Sequence, residues 1–74
     1  MASVRQTIAE VDVVAFLQPV DKSDGVGEWP AGTGGTVVSD HGDHKEVEIS
    51  NERGEALDFV IVPVGQLKLV AKHG

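Results

Sequence analysis

The chain of 74 residues carries 12 acidic against 6 basic side chains and no cysteine, a formal charge of −6. Such a length allows one domain, burying only about 60% of the surface its unfolded chain exposes. It has no disulfide or Cys/His zinc site to add stability, and its charge speaks against binding nucleic acid, whose affinity comes from neutralising phosphates.

Residues 1–9 carry little pattern and are expected to form a tail, with a single domain over 10–72. The first strand signal runs from Val11 to Leu17, rich in β-branched and aromatic residues, and ends before Pro19. Asp21 to Gly35 holds five glycines and a proline without any period, and reads as a long loop. Within it Glu28-Trp29-Pro30-Ala31-Gly32-Thr33 reads as a turn, with Gly32 free to take a positive φ. Gly35 to Asp40 is a second short strand, and His41-Gly42 a tight turn. His44 to Ser50 alternates cleanly, with Lys45, Val47 and Ile49 on one face and Glu46 and Glu48 on the other. Asn51-Glu52-Arg53-Gly54 is a second hairpin turn, followed by a fourth strand from Glu55 to Val62. Pro63 to Gln66 predicts a short 3₁₀ turn, and Leu67 to Val70 a fifth strand.

This order predicts an all-β fold, a small five-stranded SH3-like barrel with a long loop after strand one and a 3₁₀ turn before the last strand. An OB-like barrel also has five strands but usually inserts a helix between strands three and four, where only four turn residues stand here. The longest apolar run, Phe59 to Val64, is six residues and contains a proline, far below the ~20 of a spanning helix. No secretory leader pattern opens the chain, so the expected location is cytoplasmic, without membrane attachment.

The segments Glu10-Val11-Asp12-Val13-Val14, Pro30-Ala31-Gly32-Thr33-Gly34-Gly35-Thr36-Val37-Val38, Val47-Glu48-Ile49 and Pro63 with Gln66-Leu67 carry a resemblance. Together they resemble the small bacterial family known as domain of unknown function 4926, over about residues 10–70. The chain departs from that pattern at the Gly34-Gly35 pair and at His44-Lys45, where an aromatic is common. The resemblance implies an SH3-like barrel and an accessory role of antitoxin or immunity type, and it supplies no catalytic residue.

Asp40-His41-Gly42-Asp43-His44 is the one cluster with metal-ligand chemistry. It reads better as a solvated hairpin tip, so no metal or other cofactor is expected; a small-molecule or metal-binding accessory domain, using the barrel mouth near Trp29 or the His41/His44 tip, is the alternative function. Trp29 is either an exposed binding anchor or a plug folded back over the core. With only Phe16 and Phe59 beside it and no tyrosine, a polyproline groove is not expected. The loop glycines lack the Gly-Lys-Ser/Thr of a phosphate cradle. Ser23 and Ser39 have no histidine at a spacing that predicts a nucleophile–base pair, so no enzymatic activity is expected.

Strands one and four are apolar on both faces. Val11, Val13, Ala15 and Leu17 stand opposite Val14 and Phe16, and Leu57, Phe59 and Ile61 opposite Val60 and Val62. A barrel has one inside, so one set is expected to face outward and mark an interface, the alternatives being cover by the N-terminal nine residues or the long loop, or a bulge that changes which side points in. The expected contact surface is Phe16, Val60 and Val62, with Trp29 as anchor and Glu46 and Glu48 as an acidic flank. A homodimer is expected, and a basic protein partner fits the nine acids against two bases in residues 23–58.

Overall fold

The computed structural model describes residues 7–72. Of the tail expected over 1–9, positions 1–6 lie outside the described residues. Position 8 is no tail, since Ile8 is buried in the core. The elements run β1 (Val13–Phe16), β2 (Val20–Asp21), β3 (Glu28–Trp29), β4 (Gly34–Asp40), β5 (His44–Ser50), β6 (Ala56–Pro63), a 3₁₀ turn (Val64–Gln66) and β7 (Leu67–Ala71). The described fold is therefore all-β, as expected. Each of the five expected strands is present to within about two residues at either end. The difference lies in the long loop, where Val20↔Trp29 and Asp21↔Glu28 pair as a two-residue ribbon. Two residues are too few for a period to declare itself.

Five strands form one antiparallel sheet in the order β6-β5-β4-β1-β7, and β2-β3 form a separate pair. The tight turns have local causes. Asn51 Oδ1 accepts the N–H groups of Arg53 and Glu55 at 2.9 and 3.0 Å, closing the β5–β6 turn, where Gly54 has φ +81°. Gly35 of the Gly34-Gly35 pair has a packing reason, whereas a Cβ on Gly34 would make only ordinary contact. A Cβ on Gly35 would lie 2.8 Å from the Glu48 carbonyl oxygen and against Val47, so only glycine lets β4 approach β5 this closely.

The strand alternation sends Val14 and Phe16 of β1, Val47 and Ile49 of β5, and Val60 and Val62 of β6 inward. There they pack with Ile8, Val37 and Leu67. This corrects the expected contact surface: Phe16, Val60 and Val62 are core residues, and the outward sets are Val13 on β1 with Leu57, Phe59 and Ile61 on β6. The inner rows of β1, β5 and β6 each carry a charged residue at their N-terminal end, at the same parity as the apolar side chains. The rows read Asp12-Val14-Phe16, Lys45-Val47-Ile49 and Asp58-Val60-Val62.

A charge at an inward position must be paired. Asp12, 1% exposed, accepts the Ala9 N–H and the Lys72 ammonium, both at 2.8 Å. That ammonium also donates to the Thr7 carbonyl at 2.7 Å, so one carboxylate holds both ends of the described chain. Lys45, 5% exposed, lies 2.5 Å from Asp40 Oδ1. Among the described residues, no buried side-chain nitrogen or oxygen lacks a hydrogen-bond partner.

Candidate functional site

The third inward charge, Asp58, organises the surface between the long loop and β6. Its Oδ2 accepts the Trp29 indole N–H at 2.9 Å and the Ser23 N–H at 3.0 Å. Its Oδ1 accepts the Ser23 hydroxyl and the Phe59 N–H. Donors on every side stabilise the charged form. The Ser23 hydroxyl leads, followed by the Trp29 indole, and together they lower the Asp58 carboxyl from an ordinary 3.8 to about 2. The Lys22 ammonium stands 4.7 Å from the centre of the Trp29 ring, a cation–π contact on the same patch.

Trp29 is thus folded back. It is half-buried and packs against the core, with one edge bonded to Asp58. A groove of about 430 Å³ runs beside it, lined by Lys22, Ser23, Asp24, Trp29, Leu57 and Asp58. A second, of about 290 Å³, lies further along between Gln18–Asp21 and Ile61–Pro63 and reaches Gln66. Ser23 has the only side-chain oxygen in this patch with nucleophilic chemistry. Its charged partner is a carboxylate of pKa about 2, which is too weak a base to take its proton at neutral pH.

The tip between β4 and β5 separates into two pairs. Asp40 binds Lys45 and the Gly42 N–H, and Lys45 holds its carboxyl below the ordinary range. Asp43 binds His44 Nδ1 at 3.0 Å, and that contact likewise lowers its pKa. Among the described residues no group of three or more His, Asp or Glu side chains is placed to hold a metal ion.

The outer face of β6 carries three of the exposed large apolar residues. Leu57, Phe59 and Ile61 are 55, 46 and 61% exposed. The register sets Phe59 directly opposite Glu48, and Ile61 opposite Glu46. Across the acids, Glu48 faces Thr36 and Glu46 faces Ser39, with Val13 paired beyond Thr36. Of the residues expected to make contact, only Glu46 and Glu48 lie on this face, both half-buried. Leu57, Phe59 and Ile61 were visible as one face of the fourth strand. Nothing local distinguishes two apolar parities, so the sequence leaves open which of them faces inward. Asp58 carried a usable signal, a single acid in an apolar strand at the parity of Val60 and Val62.

No helix among the described residues is long and apolar enough to cross a membrane. No family model matches the chain, and no curated protein or solved structure does so either.

Proposed function

We propose that this chain is a non-enzymatic, cytoplasmic protein-binding module with an SH3-like barrel fold, and that it meets its partner on the outer face of β5 and β6. The strand order supports the fold reading. The last strand returns beside the first after a one-turn 3₁₀ break, and the long connection separates β1 from β4. The resemblance to domain of unknown function 4926 agrees with that architecture. The binding reading is carried by one observation, three large apolar side chains left in water side by side on β6. A chain of marginal stability gains nothing from exposing them, since each is worth about 1.5–3 kcal/mol when fully buried.

Replacing Phe59 and Ile61 together by serine tests the reading. These positions contribute outward surface, so the variant keeps the far-UV spectrum and cooperative unfolding of the parent. Immobilised parent protein is expected to retain a stoichiometric protein from extracts of its native cells, and the double variant to lose it. Retention of the same protein by both would contradict the assignment of the face.

A further inference from the structure

We infer that the partner on this face is a cationic amphipathic segment of another protein, with apolar side chains over Phe59 and Ile61 and Lys or Arg side chains over Glu46 and Glu48. This rests on the protein-binding reading and specifies the occupant. Directly opposed residues of an antiparallel pair have Cβ atoms about 5 Å apart. The register Phe59↔Glu48 and Ile61↔Glu46 therefore sets a column of two apolar side chains beside a column of two carboxylates. Among the described residues neither carboxylate makes an ion pair or a side-chain hydrogen bond.

Three of the described cations are engaged elsewhere. Lys45 points inward to Asp40, Lys72 holds Asp12 and Lys22 stands over Trp29. The wider field has the same sign, because residues 40–58 carry seven acids against Lys45 and Arg53. A partner able to cover the apolar column must therefore bring positive charge to the acidic one.

The same geometry disfavours the other occupants. A second copy seated by two-fold symmetry would bring four carboxylates, Glu46 and Glu48 from each copy, into one interface on a molecule of charge −6. An anionic lipid surface or nucleic acid meets the same repulsion.

The test titrates the isotopically labelled full chain with a Leu/Lys amphipathic peptide and, separately, with a Leu/Glu peptide of the same pattern, following amide chemical shifts. The Leu/Lys peptide is expected to move amides of β5 and β6 saturably, and to bind about tenfold more weakly when salt rises from ~0.05 to ~0.3 M. The Leu/Glu peptide should leave them unmoved. Glu46→Gln with Glu48→Gln, both on an exposed-side row and checked by thermal midpoint, should weaken Leu/Lys binding by at least about tenfold.

Shifts centred away from this face, salt-insensitive binding or an unaffected Gln variant would overturn the inference. Equal binding of the two peptides at Phe59 and Ile61 would also overturn it, while leaving the protein-binding face standing. If the same amides shift with protein concentration alone, the occupant is a second copy and the inference is wrong. Loss of all binding in Phe59→Ser/Ile61→Ser, with the Gln variant weakened but not abolished, is the pattern expected.

Discussion

Val11 is the one non-glycine among the described residues with a positive φ, at +66°. A β-branched side chain in that region costs roughly 1–2 kcal/mol, because its Cβ crowds the following carbonyl. The chain accepts this because of what flanks the position. The Val11 N–H donates to the Val37 carbonyl at 2.7 Å, and the turn delivers Asp12 into the interior to meet Lys72. The Val11 side chain itself is half in water and contributes little packing. Val11→Asn should therefore stabilise the protein by up to about 1 kcal/mol, since asparagine tolerates the left-handed conformation. Chemical denaturation with an unchanged m-value would check this. A destabilised Asn variant would mean that the valine side chain matters more than its backbone strain.

The long loop and β6 are joined mainly through Asp58, so their coupling should follow that carboxylate. The folded-state pKa is lowered, so its stabilising contribution is present above the unfolded value of 3.8 and is lost as pH falls towards 2. The single tryptophan reports directly on this contact. Trp29 emission should stay native-like down to about pH 3 and shift to the red around pH 2, as the folded-state carboxyl takes up its proton. Asp58→Ala should show the red-shifted emission already at neutral pH and lose about 1–2 kcal/mol of stability. Unchanged emission in that variant would show that core packing alone holds Trp29.

Elements differed in how plainly they could be read. β5 was legible because Val47 and Ile49 alternate with Glu46 and Glu48, so period two had one answer. On β1 and β6 both parities are apolar, and the choice falls to register. Irregularities in the pairing at Val13/Val14 and at Ile49/Ser50 adjust that register where no local pattern records them. Hence Phe16, Val60 and Val62 turn inward, and Leu57, Phe59 and Ile61 face out. The inward charges mark the core parity. Asp12, Lys45 and Asp58 share a parity with core residues, and a charge is placed there only with a partner. Those partners, Lys72, Asp40 and the Ser23–Trp29 pair, lie up to 60 positions away in the chain or outside any period.

As a whole, the molecule offsets its small size by capping an apolar core with paired charges and by recruiting Ile8 from outside the strand pattern. Ile8→Ala should cost about 2–4 kcal/mol, where a residue in a frayed tail would cost almost nothing. Thermal and chemical unfolding would decide between the two. The same arrangement leaves one side of the sheet, β5 with β6, both apolar and acidic. That side, and not a cavity of the fold, is the partner-binding face we propose.

Crosslinking in native cells from a photoreactive residue placed at position 59, with position 70 on β7 as the comparison, reads that assignment most directly. Both positions are exposed. The expected result is a crosslink from position 59 to one protein with a basic, apolar segment, absent from position 70. A crosslink from position 70 alone, or from position 59 only to a second copy of this chain, would contradict it.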